Sequence, residues 1–278
     1  MKIKFWGVRG SVPSPSPDTI QVGGNTSCVE IVTGQDELVI LDAGTGLRLL
    51  GKQLVQQQQH RSRRIHLLLS HTHWDHIQGL PFFAPLNFSD NHLTVYGADK
   101  PTKTLKDVLR QQMSFEYFPV SLDELPARID IQPLQEEHFQ IGDLQIQTAA
   151  FNHPGGVYGF RIEQAGQTLV YATDMEYTPD NLERKLIDFA RHADVLIYDA
   201  QYTPAELKIK AGWGHSTHLA AAHLAERAEV KRLLLFSHDP DHSDQTLEEM
   251  ELEAQTIFPA SFLAREGLSL DLAKPDEI

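Results

Sequence analysis

The 278-residue chain contains one cysteine, Cys28, so no internal disulfide can form and the sequence fits a reducing compartment. Basic residues are also scarce: 24 Lys and Arg stand against 38 Asp and Glu, a net charge of −14. Neutralising a long phosphate backbone takes many Lys and Arg contacts on one face, so the shortage argues against a long nucleic-acid partner. A small anion held by metal ions is not excluded, because a dication reverses the local field. No apolar run approaches the ~18 residues of a membrane span. The opening MKIKFWGVRG has no apolar core of a secretory signal. The expectation is a cytoplasmic protein with no membrane partner. Low-complexity linkers are missing too: the Pro/Ser-rich stretch 11–17 reads as a loop, and the glutamine patch 56–59 as a solvated helix end. With 41% apolar residues there is ample material for a core, and residues 1–278 are read as one domain.

Short runs rich in β-formers recur at 2–6, 28–32, 38–41, 65–69, 93–96, 144–149, 158–162, 168–172, 195–198 and 232–236. Helical patterns fall at 46–56, 102–112, 179–192, 217–228 and 244–255. Strict strand–helix alternation is expected mainly near the C-terminus. The fold class is mixed α/β, with two sheets packed together under outer helices.

Histidine is what the chain has in plenty, with 14. The apolar strand 65–69 runs into Ser-His71-Thr-His73-Trp-Asp75-His76, which crowds three imidazoles and a carboxylate into one loop at a sheet edge. Neutral imidazole and carboxylate suit Zn²⁺ and similar divalent ions. Two ions need more ligands than one loop can offer. Further candidates come after other apolar strands: His153 in FNHPGG, Asp174 in YATD and His238 in FSHDP. For His60, His66, His92, His138, His192 and His223, surface or core roles are the simpler reading.

With these motifs in view, the chain resembles the metallo-β-lactamase superfamily. The likeness is greatest to its phosphodiesterase branch, which includes RNase Z-type tRNA endonucleases and small cyclic-phosphate phosphodiesterases. The resemblance runs through GVRGSVP at 7–13, GGNTS at 23–27, LDAGTG at 41–46, HTHWDH, FNHPGG, YATD, YDAQY at 198–202, GHST at 214–217 and FSHDPDHSD. It implies a four-layer αββα sandwich with two divalent ions, Zn or else Mn or Fe, in a cleft at the sheet edges. It further implies His71, His73 and His153 as ligands of one ion and Asp75, His76 and His238 as ligands of the other, with Asp174 bridging. A pair of such ions clamps a phosphoryl group and lowers the pKa of a shared water, so no Ser or Cys nucleophile is needed. Asp75 is a candidate to orient that water. The histidine of the HST motif, His215, would pair with Asp199 and assist the leaving group. The resemblance also implies a homodimer.

Some residues are read from their surroundings. Asp42 ends a strand before Gly-Thr-Gly, and a structural turn role is favoured over one in the cleft. His242 is a candidate for substrate phosphate or for a cap on the helix near Asp244, and Ser216 is a candidate substrate contact. His218 reads as a surface residue at a helix start. The aromatic cluster 115–118 is either core or a stacking platform, with core favoured. Arg9 is a candidate for a phosphate or a partner subunit.

The RNase Z enzymes of this branch grip tRNA with a long arm between the third histidine motif and the bridging aspartate. Only 20 residues separate His153 from Asp174, leaving no room for such an arm, and Tyr158–Ala172 reads as a plain two-strand hairpin. The expected substrate is therefore a small phosphodiester: a cyclic nucleotide first, a ribosyl cyclic phosphate next. The alternatives are an RNase Z-type RNA endonuclease without the arm, a thioester or lactone hydrolase, and a non-catalytic metal-binding accessory protein.

Overall fold

A computed structural model describes residues 1–32, 37–57, 63–176 and 181–274. Several strands are apolar at nearly every position and buried along their length. They include β3 (Glu37–Leu41), β11 (Val195–Asp199) and β12 (Leu233–Phe236). Continuous burial of this kind belongs to strands covered on both faces. Each lies inside one of two seven-stranded sheets.

The first sheet is built from β1 (Lys2–Gly7), β2 (Cys28–Val32), β3, β4 (Arg64–Leu68), β5 (His92–Gly97) and β6 (Arg128–Pro133), in that order. The second is built from β7 (His138–Ile141), β8 (Leu144–Phe151), β9 (Val157–Gln164), β10 (Gln167–Ala172), β11, β12 and β13 (Ser261–Leu263). The late strand β14 (Ser269–Asp271) returns to the first sheet beside β1. In both sheets antiparallel pairing gives way to parallel pairing, at β3 in the first and at β10 in the second.

Alternation along β3 divides its side chains between two cores. Leu38 and Ile40 face α1 (Gly46–Gln57) and α3 (Leu105–Gln112), while Val39 and Leu41 face the other sheet. The far side of the second sheet carries α4 (Asn181–Ala190), α6 (His218–Arg227) and α7 (Asp244–Gln255). Helix, sheet, sheet and helix thus stack as the expected four layers.

All ten expected strands are present, and the helical patterns match α1, α3, α4, α6 and α7. The start of the 179–192 pattern, the end of the glutamine patch and His60 lie outside the described residues. Strand–helix alternation is not confined to the C-terminal part: β3, β4, β5 and β6 are mutually parallel, with α1 and α3 between them. This part of the pattern is obscured by β6, RIDIQP, an edge strand whose polar positions leave only two strong β-formers. Residues 154–173 form the β9–β10 hairpin, closed at Ala165–Gly166, with no arm inserted. No helix among the described residues is long and apolar enough to cross a membrane.

Candidate metal centre

The strand ends of both sheets open on one cleft. β4 runs out through Ser70 into His71, and the short helix α2 (Trp74–Ile77) turns Asp75 and His76 inward. His71, His73 and His153 converge until their ligand atoms lie within 4.8 Å of one another. His153 Nε2 is 3.0 Å from His73 Nδ1, and its Nδ1 donates to the Gly214 carbonyl at 2.8 Å. Gly214 is needed there, because a Cβ would stand 2.3 Å from the His153 ring and its φ is +92°. His71, His76 and Asp174 form a second group within the same limit.

Two tests of fit favour a metal. The Nε2 atom of His71 is buried and has no hydrogen-bond partner, an expensive state for an imidazole unless a cation fills it. The Nδ1 nitrogens are already engaged: His71 Nδ1 lies 3.1 Å from Ser70 Oγ, and His76 Nδ1 lies 2.7 Å from Asp42 Oδ2. Carboxylates holding the far side of a ligand ring are a usual support for metal-binding histidines. The second test is charge. Burial first, and then the neighbouring His76, His153 and His73 rings, push the His71 ring well below its usual pKa, leaving a neutral donor. Burial opposes charge on His76 too, but Asp75, Asp174 and Asp42 outweigh it and raise that ring well above the usual value. His76 Nε2 lies 3.2 Å from Asp75 Oδ2 and 3.0 Å from Asp174 Oδ2. Carboxylates that converge in this way demand a cation, and a dication meets the demand.

A third group joins Asp174 to Asp199 and His215. His215 Nδ1 lies 2.8 Å from Asp199 Oδ2 and 3.4 Å from Asp174 Oδ1. The Ser216 N–H donates to the other Asp199 oxygen at 2.7 Å. Burial works against a charged His215, yet the Asp199 charge and hydrogen bond raise its pKa to about 9. The ring is packed edge-on between Tyr202 and His153.

The structure brings His71, His73, Asp75, His76, His153, Asp174, Asp199 and His215 into this cleft. It does not bring His238. That ring points away: its Nε2 lies 2.9 Å from the Ala264 carbonyl, and its charged neighbours are Arg9, His242 and Arg265. Desolvation and those cations push it down to about 3.

His242 is buried, with Nε2 2.9 Å from Glu206 Oε1, and the cap of α7 is Ser243 instead. Ser216 is fully buried, and its contact in the site is the backbone one to Asp199. Arg9 is buried and donates to the carbonyls of Gly23, Asp239 and His242, so it staples the N-terminal loop. His218 is buried rather than exposed, with Nε2 2.8 Å from Glu253. In the 115–118 cluster only Phe118 packs on the core, edge-on to Phe82, whereas Phe115 and Tyr117 are 88% and 72% exposed.

Asp42 carries more than a turn. It has left-handed backbone, φ +60°, and its carboxylate gathers Ser70 N–H, Ser70 Oγ, Tyr171 OH and His76. Its position at a strand end before Gly-Thr-Gly is the available signal. Its partner across the sheet interface, Tyr171, leaves none.

Residues 38–238 match the family model of the beta-lactamase superfamily domain. The chain belongs to the metallo-β-lactamase superfamily. Among members, ribonuclease Z of Synechococcus sp. (strain WH7803) is 24% identical over 329 aligned positions, covering 98% of this chain and 96% of the relative. Two solved structures share the metallo-β-lactamase fold at low identity. One is Zn²⁺-bound PqqB from Methylobacterium extorquens, with TM-score 0.71, 19% identity, and 98% and 100% of the two chains covered. The other is a diphosphatase of the PhnP family, with TM-score 0.70, 20% identity and 97% of each chain.

Proposed function

We propose that this chain is a two-metal phosphodiesterase acting on a small phosphodiester, a cyclic nucleotide by preference and a ribosyl cyclic phosphate next. The observation that carries this reading is the Asp199–His215 pair set against Asp174 and the histidine cluster. His71, His73 and His153 would hold one ion, Asp75 and His76 would contribute to the other, and Asp174 would serve both. Two divalent ions, Zn²⁺ or else Mn²⁺ or Fe, supply charge stabilisation on phosphoryl oxygens and an activated water. Asp75 is kept in place by the Ser11 N–H at 2.7 Å. With Nδ1 committed to Asp199, whose charge favours the protonated ring, His215 would act as the proton donor and present Nε2 to a leaving oxygen.

Several features support a small substrate. The hairpin that replaces an arm and the net charge of −14 both speak against gripping tRNA. Trp74 and Trp213, 78% and 64% exposed, are the chain neighbours of His73 and Gly214, the two partners of His153. Exposed indoles so close in sequence to the site would suit a nucleobase better than a bare ribose. The relatives' names, ribonuclease Z and a diphosphatase, are of phosphorus–oxygen bond hydrolases. A homodimer is part of the proposal, to be read from mass in solution.

The test is the metal-loaded protein against bis(p-nitrophenyl) phosphate and a panel of 3′,5′- and 2′,3′-cyclic nucleotides, beside His215→Ala. Cyclic nucleotide cleavage is expected to fall about 10²–10⁴-fold in the variant. The nitrophenyl diester, whose leaving group departs unassisted, should fall less than about tenfold. No diester cleavage with both ions bound would overturn the reading and direct the search to thioesters and lactones.

A further inference from the structure

The residue after β12 is Ser237, not His238, and its backbone is left-handed, φ +57°. Asp42 and Asp174, which leave β3 and β10, share that conformation at φ +60° and +54°. A non-glycine residue accepts this backbone only where its surroundings enforce it. At Asp42 and Asp174 the consequence is a carboxylate aimed at His76. At Ser237 it is a hydroxyl aimed at the buried Gln201, with Oγ 3.4 Å from Oε1. Gln201 Nε2 donates to Ser11 Oγ at 3.2 Å, and the Ser11 N–H donates to Asp75 Oδ2 at 2.7 Å. Ser237, Gln201, Ser11 and Asp75 therefore form one polar strip along the carboxylate-rich side of the cleft. Gly10 keeps this strip open, since a Cβ there would stand 2.5 Å from Gln201 Oε1 and 2.6 Å from Ser237 Oγ.

His238 is locked on the other side. Its backbone N–H donates to Val8 and its carbonyl accepts from Gly10, each at 3.0 Å, while its ring is tied to Ala264. With the His238 ring held at Ala264, the side chain of this turn that meets Gln201 is the serine.

We propose that the two ions sit in unlike sites: three imidazoles (His71, His73, His153) for one, and Asp75, His76 and Asp174 with the oxygens of Ser237 and Gln201 alongside for the other, His238 being no ligand. This rests on the reading of the cleft as a two-ion site. Imidazole suits Zn²⁺, whereas carboxylate, amide and hydroxyl oxygens suit harder ions such as Mn²⁺. The imidazole site is the tight zinc site, and the oxygen-rich one exchanges its ion more readily.

The test is a zinc and manganese titration of the whole protein against a chromophoric chelator, with metal content by mass spectrometry. The wild type should take one zinc at least about 100-fold more tightly than the second. His238→Asn, which keeps a donor for the Ala264 carbonyl, should leave both affinities within about threefold. Ser237→His should tighten the second site by about tenfold or more, because histidine tolerates left-handed backbone and adds a nitrogen donor. If His238→Asn folds poorly, ¹⁵N NMR of the wild-type imidazoles answers the same question. On adding zinc the ring nitrogens of His71, His73, His76 and His153 should move and those of His238 should not. Loss of one equivalent in folded His238→Asn, a moving His238 nitrogen, or no gain in Ser237→His would each overturn the proposal. Uptake of no more than one equivalent by saturated wild type would instead overturn the two-ion reading beneath it.

Discussion

Asp42 comes directly after β3 and Asp174 lies just past β10, the strand in each sheet where antiparallel pairing turns parallel. Both have left-handed backbone, and both reach the same ring: Asp42 takes His76 Nδ1 at 2.7 Å, and Asp174 lies 3.0 Å from His76 Nε2. Their remaining partners separate them. Asp42 is saturated by Ser70 and Tyr171 and faces the packed interface between the sheets. Asp174 has Thr173 Oγ1 beside one oxygen and otherwise faces histidines and the Asp199 carboxylate, with His215 Nδ1 3.4 Å away. One topological position has thus yielded a carboxylate that positions a ligand and a carboxylate placed to be a ligand. The difference lies in which donors each meets, not in the strand that carries it.

The contrast can be broken at Asp174. Asp174→Asn removes a charge common to two of the three clusters, and we expect at least about 10³-fold loss of diester hydrolysis with loss of bound metal. Asp42→Asn should act one step removed. It leaves every ligand atom in place but weakens the hold on His76, so metal affinity should fall about 10–100-fold and activity should recover in excess metal. Chelator titration beside a metal-concentration series of rates separates the two. Equal losses in both variants, or recovery by metal in Asp174→Asn, would show that the two carboxylates do the same job.

How much of the molecule is legible in the sequence depends on whether a residue's role is local. HTHWDH, FNHPGG, YATD and GHST announce themselves because ligand chemistry demands particular side chains at the ends of apolar strands. The central strands are equally plain, since burial on both faces leaves unbroken apolar runs such as LVIL and VLIY. Edge elements are not: β6 and β14 gain a strand's conformation from a neighbour's hydrogen bonds, and β14 comes from the far end of the chain. The choice between Ser237 and His238 is likewise hidden. An FSHDP motif shows a histidine after a strand, but not the left-handed residue before it or the distant Ala264 carbonyl that holds its ring. Arg9 and His218 mislead for a related reason, because their partners, Asp239, His242 and Glu253, lie far away in sequence.

The smallest effect expected separates two helices, each lying beyond the next strand of its sheet. After β4 the chain makes α2, which buries Asp75, His76 and Ile77. After β11 it makes α5 (Pro204–Lys210), which buries no residue at all. Polar contacts hold α5 instead: Glu206 to His242, Lys210 to Asp239, and the Lys210 ammonium over the Tyr202 ring. Burial opposes the Glu206 charge, but the Thr203 N–H, His242 and the Thr203 hydroxyl prevail and bring its pKa from the usual 4.5 to about 2. A carboxylate whose pKa is lower in the docked state contributes stability above its free pKa, and that contribution drains away as the pH falls from about 4.5 towards 2. Protection against hydrogen exchange across α5, taken relative to the intrinsic rate at each pH, should therefore fall over this window while the α2 region, enclosed by core contacts, lags behind. Glu206→Gln cannot titrate, so it should show lower protection in α5 at neutral pH and little further loss of protection on acidification. Equal acid sensitivity in α5 of the variant and the wild type would mean that this carboxylate does not hold the helix down.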